Sequence, residues 1–196
     1  MTKTRWTPNA LLQLETERFI ISSMLREDVT EEFTDWLSDP DVMMGLNMHR
    51  KRLTRPQAVR FVISCDNHSR FCLAVKDKAN GQLIGLFIVN CDLNQQIAET
   101  SVVIGNKDYW GKDVVKEARF VLLDFLFDQM NMFKVIGRPH GRNFSSIYNY
   151  KALGFTCEAV LRQQMKAINS EQRLDQLIFG ILKDEWLQKR EELLNE

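Results

Sequence analysis

Residues 97–138 constrain the fold more than any other part of the chain. They read as strand, helix, strand. Residues 97–104 and 133–138 are β-rich runs. Between them Val115, Ala118, Leu122, Phe125 and Leu126 recur at helical spacing across residues 112–129. Two strands joined through a helix of that length lie parallel in one sheet. Just upstream, residues 71–76 and 82–90 flank Asn80-Gly81, a strong hairpin signal, so those two runs pair antiparallel. A chain that holds both arrangements needs a mixed sheet.

The remaining elements fit around that centre. Residues 18–23 read as a strand. Val29, Phe33, Trp36 and Leu37 form one apolar helix stripe, which Asp39-Pro40 ends. A second helix starts at Thr54, where Gln57 completes a capping-box spacing and Pro56 suits a first turn. Val59, Val62 and Ile63 are its expected buried face. Residues 143–153 form a helix closed by Gly154. Two long strands, 155–168 and 173–181, are joined at Asn169-Ser170, and an amphipathic helix covers 183–194. Residues 1–13 carry no clear pattern. The expected class is α/β: a mixed, mostly antiparallel twisted sheet of about seven strands with helices on both faces. No repeat, low-complexity tract or linker interrupts it, so residues 1–196 are expected to form a single domain.

Composition removes several functions. The 26 Lys and Arg balance 26 Asp and Glu, which argues against nucleic-acid binding by bulk charge. No run of 18 apolar residues exists to span a membrane. The first residues lack a signal peptide's apolar stretch, so the expected location is cytoplasmic. Cys65, Cys72, Cys91 and Cys157 are too scattered for a disulfide framework, and free thiols are expected. His49, His68 and His140 have no metal-ligand spacing, so no metal is expected. A monomer or homodimer is the expected assembly.

Chemistry points to the junction between the strand at 97–104 and the long helix. Such a junction offers unpaired N–H groups and the positive end of a helix dipole to an anion. Three motifs surround it. Leu14-Glu-Thr-Glu-Arg-Phe-Ile-Ile21 precedes the first strand. Ala98-Glu-Thr-Ser-Val-Val-Ile-Gly105 leads into Tyr109-Trp-Gly-Lys-Asp-Val-Val-Lys-Glu-Ala118. Asn143-x-x-Ser146 is followed by Lys151-Ala-Leu-Gly-Phe155. In this order and at these separations the chain resembles the GNAT family of N-acetyltransferases over about residues 14–186. The resemblance is greatest to the branch that acetylates the N-termini of ribosomal proteins.

That resemblance implies acetyl-CoA as co-substrate and an amine acceptor: a protein N-terminus, an amino sugar or another small amine. It implies that Trp110, Gly111, Lys112, Asp113, Val114 and Val115 cradle the coenzyme pyrophosphate. Val103, Ile104 and Gly105 would hydrogen-bond the pantetheine arm as a neighbouring strand would. Asn143 and Ser146 would touch the coenzyme from the next helix. Glu99 is expected as general base and Tyr150 as the acid that protonates the leaving thiolate, with Tyr148 as its substitute. The family loop has Gly where this chain has Asp113, and a small residue where it has Val115. Asp113 could cap the helix and occupy the anion site, so coenzyme binding weaker than the family norm is expected. Two other readings stay open: a GNAT-like binding module, and an acyltransferase using a larger acyl group or a hydroxyl acceptor.

Charge is also arranged locally. Residues 27–41 hold seven acids (Glu27, Asp28, Glu31, Glu32, Asp35, Asp39 and Asp41) and no base. Residues 42–65 hold five bases (Arg50, Lys51, Arg52, Arg55 and Arg60) and no acid. The resemblance places this first helical pair beside the acceptor site. The pattern suits either a polarised acceptor entrance or two helix faces that pair with each other.

Overall fold

The computed structural model describes residues 6–49 and 53–195. Arg50, Lys51 and Arg52, three of the five expected bases, lie outside the described residues. Eight strands make one sheet: β1 Gln13–Glu15, β2 Phe19–Ser23, β3 Arg70–Asp77, β4 Leu83–Asp92, β5 Ile97–Ile104, β6 Lys134–Gly137, β7 Thr156–Lys166 and β8 Arg173–Leu182. Their spatial order is β1-β2-β3-β4-β5-β6-β8-β7. The sheet is antiparallel throughout except for the β5–β6 pair, where the helical crossover forces parallel strands. The strand beyond the seven expected is β1. Its three residues are too few to show a two-residue period, and it forms by pairing with β2.

Alternation along the central strands builds two cores. Phe71, Leu73 and Val75 of β3 face one side, with α4 (Val114–Asp124), α5 (Phe144–Ala152) and α6 (Lys183–Leu194). Cys72 and Ala74 face the other, with α1 (Glu31–Trp36), α2 (Pro40–Gly45) and α3 (Arg55–Ile63). The sheet is therefore covered on both faces. No helix among the described residues is long and apolar enough to cross a membrane.

Two local expectations need correction. Asp39-Pro40 does end α1, but it also starts α2. The Asp39 carboxylate accepts the N–H groups of Asp41 and Val42, and Pro40 takes the first turn. In α3 the buried residues are Ala58 and Val62, while Ile63 is exposed. Val62 is buried and Val59 packs against the same core as expected, so the face is shifted toward Ala58 and only Ile63 falls off it. The capping box holds: the Thr54 N–H donates to Gln57 Oε1 at 2.9 Å. The hairpin between β3 and β4 is a longer loop. It turns at Gly81, whose φ of +72° suits glycine.

The opening motif has a structural task. The Glu117 carboxylate, in the first turn of α4, accepts from the Thr16 hydroxyl, from the Arg18 N–H at 2.9 Å and from Arg18 Nε at 2.7 Å. Arg18 also donates to the Lys112 carbonyl at 3.0 Å. The turn between β1 and β2 thus holds the loop before α4 in place. Burial alone would push Glu117 up, but these donors outweigh it and hold the carboxyl below its ordinary value. A depressed carboxylate gives stability that is complete above the unfolded value, about 4.3, and lost as pH falls through the folded one. Glu117→Gln is expected to cost about 1–2 kcal/mol at neutral pH. The gap between wild type and variant should close as pH falls below about 4. Thermal melts across that range test it; a constant gap would mean the carboxylate charge is irrelevant.

Candidate active site

The sheet parts between β5 and β6. The strands pair at Ile97↔Lys134, Ala98↔Val135 and Glu99↔Ile136, and no further. β5 runs on to Ile104 with only β4 beside it. Tyr150 of α5 sits at the fork. Its hydroxyl donates to the Thr100 carbonyl at 3.1 Å, the first carbonyl past the last β5–β6 pair. Its ring stacks on Phe179 at 5.3 Å and meets Phe155 edge-on. Gly137 makes room for it: a Cβ there would stand 1.9 Å from the Tyr150 hydroxyl oxygen.

The free edge of β5 can be read residue by residue. Gly105 N–H donates to Ile84, so Gly105, Val103 and Ser101 turn their peptide groups toward β4. Thr100, Val102 and Ile104 turn theirs toward the opening. The Thr100 carbonyl holds Tyr150, and the Ile104 carbonyl accepts the Trp110 indole N–H at 2.8 Å. Val102 lies between them and shares their direction.

Beyond β5 the loop tightens into α4. Gly111 has φ +73° and Asp113 φ +56°, both left-handed. Asp tolerates that region better than most residues. The Asp113 carboxylate does not cap α4, contrary to the expectation that it could occupy the anion site. Val114, Val115 and Lys116 supply first-turn N–H groups that an α-helix leaves without internal acceptors. A phosphate-sized anion fits such an end. Gly105 is held to glycine by a neighbour, since a Cβ would lie 1.8 Å from the Trp36 ring.

The fork opens into a cleft of about 420 Å³. Thr100 to Val103, Asn143, Ser146 and Tyr150 line one side, and residues of α1 to α3 line the other. Glu99 faces the α1–α3 side, opposite Asn90, and its carboxylate lies 3.3 Å from Arg138 Nε. Arg138 lines the cleft, as does His140. The Asn143 amide holds two internal partners: its oxygen accepts the Ser146 N–H at 3.0 Å, and its nitrogen donates to the Gly45 carbonyl at 2.7 Å. His140 Nε2 meets the same carbonyl at 3.0 Å. Tyr148, the substitute acid, is exposed and outside the cleft lining.

Sequence reasoning missed Arg138, His140, Val102 and the α2 wall. The first two follow the carboxyl end of a parallel strand, where ligands gather in open sheets, so their position was the available signal. The acidic run is partly neutralised within the fold. Asp28 pairs with Lys76 at 2.5 Å, and Asp39 and Asp41 both pair with Lys107 at 2.8 and 2.6 Å. Lys107 holds Asp39 below its ordinary value.

Known proteins with this arrangement can now be compared. The chain is 29% identical over 181 residues to an uncharacterised N-acetyltransferase p20 of Bacillus licheniformis, covering 88% of this chain and 97% of that one. Among solved structures, spermidine N-acetyltransferase from Vibrio cholerae, in complex with CoA and spermine, superposes with a TM-score of 0.76 at 18% identity. The match covers 86% of this chain and 98% of that one. Ribosomal-protein-S5-alanine acetyltransferase from Vibrio fischeri gives 0.75 at 17% identity, covering 89% and 98%. These two likenesses are of fold. The family model of the acetyltransferase (GNAT) domain matches residues 18–156, most of the chain and all of the fork and its loop. The protein belongs to the GNAT acetyltransferase family.

Proposed function

We propose that the protein transfers an acetyl group from acetyl-CoA to an amine carried on an apolar group. The observation that carries this reading is the parting of β5 from β6 beside the N-terminus of α4. A free strand edge suits an amide-bearing arm, and an uncapped helix start suits a pyrophosphate. Val102 would pair with the pantetheine, and Trp110 to Val115 would surround the pyrophosphate. Ile104, whose carbonyl holds the Trp110 indole, would border that path, and Val103 and Gly105, turned toward β4, would back it. Asn143 and Ser146 would border it from α5. The unbonded Asp113 carboxylate speaks for coenzyme use over a binding module whose anion site is filled by its own side chain. One continuous eight-stranded sheet supports reading the whole chain as a single domain.

Acetyl-CoA supplies an activated thioester carbonyl. An amine with a pKa of about 8 to 10 is mostly protonated at neutral pH and must lose a proton to attack it. Glu99, on the α1–α3 side of β5, would take that proton directly or through water, once the ammonium displaces Arg138 as its partner. Tyr150, whose hydroxyl sits at the fork, would give its proton to the leaving sulfur. The acceptor wall is apolar: Phe33, Met43, Leu46, Phe61, Leu86 and Ile88. Among the described residues no Asp or Glu lines the cleft itself, and Glu99 lies just behind the lining, against Arg138, as the nearest carboxylate the reading uses; a single amine beside an alkyl or aromatic group therefore fits better than a polyamine.

Four measurements test this reading. Acetyl-CoA at a hundred times its Kd should raise stability by about 2.7 kcal/mol; no thermal shift at millimolar coenzyme would sink it. A panel of amines and peptide N-termini should be acetylated best where the amine adjoins an apolar group, and preference for spermidine would refute the acceptor assignment. Asp113→Gly removes a left-handed non-glycine residue and a carboxylate beside the pyrophosphate path. Calorimetry should find acetyl-CoA bound roughly tenfold tighter, and unchanged or weaker binding would contradict that placement. Glu99→Gln should lower kcat/KM at neutral pH by roughly a hundredfold and leave coenzyme affinity intact. Retained activity would mean another group takes the proton.

A further inference from the structure

Arg119 is a charged side chain for which the fold provides no counter-ion. It lies in α4, fully buried, and none of its three guanidinium nitrogens has an acceptor among the described residues. Its charged end sits 4.3 Å from the centre of the Tyr150 ring and 5.6 Å from that of Phe87. Burial pushes the guanidinium down from its ordinary value, and Tyr150 alone opposes that. A buried cation without a partner is costly, and an apolar side chain of similar volume would fill the same space without that cost. Cation–π contact offsets part of it and leaves the hydrogen-bonding groups unmet.

The partner it lacks is an anion, and Tyr150 can become one. We infer that Arg119 is a positioning residue that acts through the Tyr150 ring, stabilising the negative charge left on the phenol when Tyr150 protonates the departing thiolate. The inference rests on the reading of Tyr150 as that acid. In the step, the C–S bond breaks and its electron pair stays on sulfur. Sulfur takes the Tyr150 hydroxyl proton, and the O–H electron pair stays on the phenolic oxygen. The charge thus moves from sulfur to a ring lying against Arg119. Tyr150 recovers its proton from solvent, which receives the one released by the acylated nitrogen. Before the step Arg119 faces a neutral ring; after it, an anion in a medium of low polarity. An attraction that appears only as charge develops accelerates reaction without tightening substrate binding.

A double-mutant cycle decides it. Arg119→Met should lower kcat roughly tenfold to a hundredfold. Acetyl-CoA affinity by calorimetry should be unchanged, and the melting temperature unchanged or raised. Arg119→Lys should recover much of the rate. In a Tyr150→Phe background, Arg119→Met should have no further effect. Equal losses in both backgrounds, or a fall in melting temperature with no rescue by Lys, would reduce Arg119 to a packing residue and overturn the inference while leaving Tyr150 as the acid. Full activity in Tyr150→Phe alone would instead overturn the acid assignment. If Arg119→Met does not fold, Arg119→Gln against Arg119→Lys makes the same comparison.

Discussion

The parting of β5 from β6 after Glu99 and Ile136 governs the rest of the molecule. A sheet normally satisfies its peptide groups by continuing, and an open edge is a liability unless something occupies it. Here the fork is occupied at its root by a tyrosine hydroxyl and at its mouth by a tryptophan indole. Between them, at Val102, β5 has no neighbouring strand on that side among the described residues. Gly137 is the concession that makes this possible, because any larger residue would push Tyr150 out of the fork.

The second requirement is a fixed distance between the fork and the start of α4. The Thr16 and Arg18 grip on Glu117 supplies it. Two motifs about a hundred residues apart are therefore one physical unit, with donors in the first and their acceptor in the second. Their joint presence is more telling than either alone, since a donor pair without its carboxylate would anchor nothing. The loop from β5 to α4 can then carry two left-handed residues, Gly111 and Asp113, because both of its ends are tied.

Most of the fold was legible because its signals are local. Helical spacing in residues 112–129, the hairpin at Asn80-Gly81 and the capping box at Thr54 each need only a few neighbouring residues to be seen. What was not legible depends on partners far along the chain. β1 exists because β2 lies beside it. The direction of Ile63 depends on where the sheet sits beneath α3. In the site, a motif can place Tyr150 on a helix, but the fork beside it is a property of β5, β6 and Gly137 together. Val102 emerges only once Gly105 is known to bond toward β4. Arg119 sits within an apolar helical pattern and looks like a solvent-facing base until its burial is known.

The Gly45 carbonyl closes the last turn of α2 and receives both Asn143 and His140. The α2 side and the α5 side of the cleft are thus bolted together at one oxygen atom. Any outward swing of α2 to admit a bulky acceptor must release that joint or drag the first turn of α5 with it. α5 carries Tyr150, so on the proposed reading a guest too large for the α1–α3 side would tilt the Tyr150 hydroxyl away from the coenzyme sulfur. Under that reading acceptor size would be gauged by misalignment of Tyr150 as well as by exclusion from the cleft.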